Sequence, residues 1–360
     1  MTSGALPANP FVAAGMIEDP KLFVGRKDEL RAIASRMSGV QPTSINIVGD
    51  KRIGKSSLLY HYFLTWEQRV QDPSRYVVIY LSLQNVPCQR EENFYLAVAR
   101  ELLKFSTVAT NSALSDPLNV RPLDRAAFSD AIKEWKQQGI LPVLCLDDFK
   151  TLFGNKNEFN DDFYNNLRSL MDSSSLMLIM ASQQKLDVYS KRQQLTSDFF
   201  NLGHVIKLRE LKEEEVKDLL RLPASTVNGA APALSLDEQR LSQQLAGSHP
   251  FLLQIAGSLV CEARQHGYDE NWVKTRFADE SRRLPKSKLG SRRWWHQVRW
   301  LVWDLPVRLG KMTKFIGGTV DDISSWIIGL VILLLPVLVL VGVLHWYEVW
   351  DFIRDQLGIK

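Results

Sequence analysis

Two glycines, Gly49 and Gly54, stand in the run Gly49-Asp-Lys-Arg-Ile-Gly-Lys-Ser56, with a lysine and a hydroxyl directly after the second. Residues 44–48 before it, Ser-Ile-Asn-Ile-Val, predict a short buried strand, and residues 57–66 after it predict a helix. A turn between such a strand and helix aims its backbone N–H groups, and the positive end of the helix, at one spot. That spot suits a phosphate chain. Lys55 can reach the β/γ-phosphates and the Ser56 hydroxyl can sit on Mg²⁺. Gly49, Asp50, Arg52, Ile53, Gly54, Lys55, Ser56 and Ser57 are therefore candidate binding residues, with Lys55 also acting on the reacting phosphates. A glycine-rich turn with a chance Lys-Ser pair would need no strand and helix in this order around it.

Phosphoryl chemistry at such a turn needs a second strand that delivers a carboxylate. Leu141-Pro-Val-Leu-Cys-Leu-Asp147-Asp148 is an apolar run ending in two acids. Asp147 is expected in the Mg²⁺ shell. Asp148 is expected to orient or activate the attacking water. The plainer alternative is a solvated Asp pair at a strand end.

The rest of the first 209 residues alternates between the two periodicities. Residues 76–82, 176–182 and 205–208 predict strands, and residues 92–105, 124–138 and 159–171 predict helices. Nearly continuous apolar strands between helices indicate an α/β fold, a parallel sheet with helices on both faces. Ligands of such sheets bind beyond the carboxyl ends of the strands, where Gly49, Asp147 and Ser182 all fall. From residue 212 the composition changes: 212–222, 236–246, 250–266 and 269–283 predict four helices, with a small polar link at 223–232. These form a helical lid. The expected organisation is an N-terminal extension (1–20), a phosphate-loop α/β core (21–209), the lid (210–284), a juxtamembrane segment (285–322), a transmembrane helix (323–347) and a short tail (348–360).

The last two expectations rest on charge. The whole chain carries only +4, no argument for nucleic acid, but from Arg282 to Lys314 basic residues outnumber acidic ones ten to one. Seven of the ten tryptophans lie after residue 290. A basic, Trp-rich amphipathic stretch suits a membrane surface. Between Asp322 and Glu348 no Asp, Glu, Lys or Arg occurs, and twenty helical steps there cover roughly 30 Å, a bilayer's hydrocarbon thickness. Trp326 and Trp346 would mark the interfaces, and the basic flank puts the N-terminal body in the cytoplasm, anchored in the inner membrane. Three scattered cysteines, Cys88, Cys145 and Cys261, argue against a disulfide framework or a metal cluster. The first residues lack the charged and apolar stretches of a secretion signal.

Several motifs together resemble one group, the signal-transducing ATPases with numerous domains (STAND) and their AAA-type prokaryotic relatives. Asn9-Pro-Phe11 followed by Leu22-Phe-Val-Gly25-Arg26-Lys-Asp-Glu29-Leu30 is similar to their F-x-G-R-x-x-E-L box, whose backbone lies near the adenine. The resemblance thereby implies Gly25 and Arg26 as binding residues. Residues 48–59 resemble their phosphate loop in its Arg-x-Gly-Lys form. Leu245-Ala-Gly-Ser-His-Pro250 resembles the Gly-x-Pro element, which implies that Pro250 approaches the base from the lid. ATP with Mg²⁺ is the implied ligand pair, and ATP rather than GTP rests on the resemblance alone. Many relatives carry a γ-phosphate-sensing basic residue after the fourth strand. This chain has Ser182-Gln183-Gln184, with Lys185 and Arg192 the nearest cations. Slow hydrolysis is therefore expected.

Three functions follow. The leading one is a membrane-anchored ATPase switch that couples nucleotide state and self-assembly to a membrane segment in signalling or defence. A membrane-disrupting defence effector and a non-hydrolysing nucleotide-bound scaffold are the alternatives. The expected partners are a second copy of the chain, a lipid bilayer and an unidentified protein, with no nucleic acid.

Overall fold

The computed structural model describes residues 9–84, 90–224 and 230–282. The chain divides into two compact units, Met1–Leu284 and Pro285–Lys360; the second lies outside the described residues.

Five strands form one parallel sheet: β1 (Ile45–Val48), β2 (Tyr76–Ser82), β3 (Leu141–Asp147), β4 (Met177–Ser182) and β5 (Val205–Lys207), in the spatial order β2-β3-β4-β1-β5. Ile47 is paired with Ala181 on one side and Ile206 on the other, and Ser82 is level with Asp147. Every residue of β1, β3 and β4 is buried, because helices cover both faces. Alternation along β3 separates the two cores, as the period of two requires. Leu144 and Leu146 face one cluster, and Val143 and Cys145 face the other.

The second face is covered by α1 (Lys27–Met37) and α2 (Lys55–Thr65), through Leu30, Ile33, Leu58, Leu59 and Tyr62. The first is covered by α3 (Glu91–Leu102), α4 (Ser106–Ala109), α5 (Ser112–Asn119), α6 (Arg125–Gln137) and α7 (Asp161–Asp172), with Phe94, Phe128, Trp135 and Phe163 filling the space. The short α8 (Leu186–Gln193) follows β4. Several helices depart from the sequence expectation, α8 among them. The helix expected over 92–105 stops at Leu102 and restarts as α4. Neither α5, which contains Pro117, nor α1 was read as a helix, although Leu30, Ile33, Ala34 and Met37 recur at helical spacing and are buried.

The lid comprises α9 (Glu213–Leu220), α10 (Leu236–Ala246), α11 (Pro250–His266) and α12 (Glu270–Ser281) around its own core of Val216, Leu219, Leu253, Leu259 and Phe277. One residue of that core comes from the opposite end of the chain. Phe11 lies so close to Gly257 that a Cβ there would come within 2.6 Å of the Phe11 ring.

The expectation of a single transmembrane helix, and with it of an inner-membrane location and a bilayer partner, is corrected. Among the described residues no helix is long and apolar enough to cross a membrane. The longest, α11, has 17 residues, roughly 26 Å against a hydrocarbon core of about 30 Å, and it carries Glu262 and Arg264 near its end. Residues 323–347 and the basic Trp-rich stretch lie outside the described residues.

Candidate functional site

The turn after β1 is shaped by steric exclusion. A Cβ on Gly49 would meet Ile53 Cγ2 at 2.8 Å and the Leu208 carbonyl at 3.1 Å, so only glycine fits. Arg52 (φ 65°) and Gly54 (φ 95°) take left-handed conformations that bring the chain round into α2. The N-cap of α2 is Gly54, which offers no side chain, and the first turn holds no acid. Its leading N–H groups are thus left for an anion.

Lys55 Nζ donates to the Gly49 carbonyl at 3.0 Å and to the Asp50 carbonyl at 2.8 Å. Burial lowers its pKa, while Asp147, Asp148 and Asp50 pull it back up. Asp147, at the end of β3, is 6% exposed and has both carboxylate oxygens occupied. Oδ1 accepts the Asp148 N–H at 2.9 Å and Oδ2 accepts the Tyr80 hydroxyl at 3.0 Å. Asp148 sits in the left-handed region (φ 53°), an uncommon setting for a side-chain-bearing residue. Burial and then the neighbouring Asp147 raise its pKa, against Lys150 and Lys55, which suits a group that accepts a proton.

One cavity of about 690 Å³ joins these groups. Arg26, Arg52, Ile53, Gly54, Lys55, Ser56, Ser57, Asp147, Asp148 and Pro250 all line it. Gly25, Gly49 and Asp50 do not line it; Gly49 makes the turn and Asp50 contributes a carbonyl to Lys55. The Arg52 guanidinium lies over the Phe251 ring, 4.3 Å from its centre, joining the loop to the lid. Gly25 (φ 77°) has the Glu215 carboxylate where a Cβ would go, 2.8 Å away. Glu215 Oε1 accepts the Arg26 N–H at 2.6 Å, and Oε2 accepts the Lys212 N–H at 2.8 Å. Arg26, 5% exposed, then donates from Nη2 to the Ile53 and Arg209 carbonyls at 3.3 and 2.6 Å, and pairs with Glu29. One arginine thus connects the lid, the loop and the strand β5 exit.

Further contributors lie outside the sequence expectation. Lys150, two residues past Asp148, lines the cavity, whereas Lys185 and Arg192 do not. Tyr80, Gln254 and, from the N-terminal segment, Val12, Gly15, Met16 and Ile17 line it as well. The end of β4 is tied up, because Ser182 Oγ accepts from Asn46 Nδ2 at 2.9 Å and donates to the Gln184 carbonyl at 2.6 Å. Gln183 lines the cavity beside it. The apolar alternation around Tyr80 concealed its hydroxyl; a level pairing of Ser82 with Asp147 was the signal, and it requires the strand order.

A family model described as the AAA-like domain matches residues 16–270. The chain belongs to this AAA-like family. Among solved structures, the Walker-type ATPase PABY2304 of Pyrococcus abyssi is similar at 14% identity, covering 88% of this chain and 91% of the other, with a TM-score of 0.55. The ORC2 protein of Aeropyrum pernix is similar at 13% identity, covering 83% and 79%, with a TM-score of 0.52. At these identities the likeness is one of fold. A comparison with curated proteins gave no match.

The donor set of the AAA-like site fits Mg²⁺. Ser56 and Asp147 bring hard oxygens to the cavity, and among the described residues no group of three His, Cys, Asp or Glu could hold a metal by itself. Mg²⁺ is held by few carboxylates and completes its shell with phosphates and water. Tyr80→Phe keeps the ring contacts with Tyr60 (5.0 Å) and Phe63 (6.1 Å) and removes the hydroxyl, which donates to Asp147 and also touches Met16 Sδ at 3.6 Å. It is expected to raise the Mg²⁺ concentration needed for tight ATP binding about 10-fold, with an unchanged melting temperature. A Mg²⁺ titration of ATP binding checks this.

Proposed function

We propose that the chain is an ATP-binding switch of the STAND type within the AAA-like family. It binds ATP with Mg²⁺, hydrolyses it slowly, and turns nucleotide state into lid position and self-assembly in signalling or defence. The observation that carries this reading is the single cavity shared by the loop, the two carboxylates and the lid helix α11.

Lys55 would leave its two carbonyls and neutralise the β/γ-phosphates, aided by the free N–H groups of α2. Ser56 and Asp147 would hold Mg²⁺, which supplies charge neutralisation across the same phosphates. Asp148, with its raised pKa, would take the proton of the attacking water. Lys150 adds a cation on the carboxylate side. The neutral Gln183 where many relatives place a cation supports slow turnover. The ORC2 neighbour is described as ADPNP and ADP complexes, which agrees with nucleotide in such a cavity. Glu215, bonded to the Arg26 backbone, gives the lid a direct grip on the loop.

Two measurements test the reading. ATP hydrolysis is expected to fall at least about 100-fold in Asp147→Ala, which excludes a non-hydrolysing scaffold. A nonhydrolysable ATP analogue is expected to increase the assembly size of the purified chain. Hydrolysis unaffected by Asp147→Ala, or the same size with and without the analogue, would count against the switch.

A further inference from the structure

The residues that the lid gives to the cavity are Leu211, Leu219, Pro250, Phe251 and Gln254. Four are apolar, so Gln254 is the one polar side chain on that wall. Pro250 and Gln254 are four residues apart on α11 and share a face. Across from them runs the strap at residues 9–17. Asn9 Nδ2 donates to Ser258 Oγ at 2.9 Å, Phe11 is wedged on Gly257, and the Ile17 N–H donates to Ser57 Oγ at 3.0 Å. An apolar slot with one placed polar group is the usual form of a site for a flat heterocycle.

The orientation of the Gln254 carboxamide follows from chemistry. Its Oε1 accepts the Val12 N–H at 2.8 Å. An N–H must meet an oxygen, so Nε2 is the free end. Gln254 is 4% exposed, and Nε2 is buried with no partner among the described residues. Buried amide donors rarely stay unpaired, and each such case calls for an explanation.

We propose that Gln254 is a base-reading residue, whose Nε2 donates to a ring nitrogen of an adenine held between the strap and the lid. The proposal rests on the cavity being the nucleotide site. A single donor suits adenine, whose N1, N3 and N7 only accept. Both bases carry an exocyclic amine, but guanine adds an N1–H donor where adenine has an acceptor. None of the residues that the strap and the lid give to the cavity is a carboxylate that could receive the N1–H. Leaving such donors unpaired discriminates strongly.

The test is calorimetric titration of the full chain, with Mg²⁺, against ATP, GTP and 1-, 3- and 7-deaza-ATP. ATP should bind at least about 10-fold more tightly than GTP, and one deaza analogue should bind about 10-fold more weakly than ATP. Gln254→Glu retains an oxygen for Val12 and loses the donor. It should weaken ATP about 10-fold and make that same deaza substitution neutral. Equal binding of ATP and all three deaza analogues overturns the proposal, as does Gln254→Glu binding ATP like the parent. A nucleotide-free melting curve checks that the variant folds; should it not, the deaza series on the parent chain decides alone. Lys55→Ala separates the two readings. If it weakens ATP while no deaza analogue does, only the Gln254 assignment falls; if it changes nothing, the nucleotide site itself falls.

Discussion

Lys55→Ala is expected to weaken ATP binding about 100-fold, or ~2.7 kcal/mol, while leaving the melting temperature of the nucleotide-free chain nearly unchanged. The asymmetry comes from what Lys55 touches. Its only hydrogen-bond partners among the described residues are the Gly49 and Asp50 carbonyls, both on the loop's rim. Burial disfavours its charge, and Asp147, Asp148 and Asp50 partly restore it. A triphosphate would add counter-charge beside Lys55 that the two carbonyls and the three aspartates supply only in part. Calorimetric titration with ATP, beside a thermal melt, measures both halves. Unchanged affinity would remove the basis for reading the cavity as a nucleotide site.

Arg26→Ala should act in the opposite manner, on stability first. The guanidinium is buried with its bonds to the Ile53 and Arg209 carbonyls and its pairing with Glu29. Truncation leaves these acceptors without their donor in a buried setting. Such losses cost about 3 kcal/mol when a charged group is removed from buried partners. In a unit of this size that is a fall in melting temperature of roughly 6–12 °C. The Arg26 backbone N–H bond to Glu215 survives the change, so Glu215→Gln offers a separate view of the lid contact. A melting temperature within about 2 °C of the parent would show that Arg26 is no structural hub.

Much of the architecture was legible because its signals are local. The strand over 76–82 and the helices over 236–246 and 250–266 have in the structure the limits expected of them. Each is bounded by a residue whose chemistry stops it, such as Ser235 with Glu238 in a capping box or Gly267 in the left-handed region. The loop was legible for the same reason. What stayed hidden depends on strand order and distant contact. Nothing in the run around Tyr80 announces a hydroxyl for Asp147, 67 residues away. Lys150 escapes a sequence reading because the family pattern points to the exit of β4, whereas this cation enters the cavity from the exit of β3. Gln254 reads as one more polar residue on a helix until Val12, 242 residues earlier, is seen to fix its amide. The transmembrane expectation was also a local reading, drawn wholly from residues beyond 322.

At residues 12 and 17 the strap is fastened through its own main chain. Val12 and Ile17 offer N–H groups, not side chains, to Gln254 and Ser57, as Arg26 does to Glu215. The specifying information therefore resides in the receivers. As far as these two bonds go, residues 12 and 17 can change identity so long as neither becomes proline, the one residue without an N–H. Two such chains could share these two fastenings while differing at both positions, and the trace of common descent would lie in a glutamine and a serine far downstream.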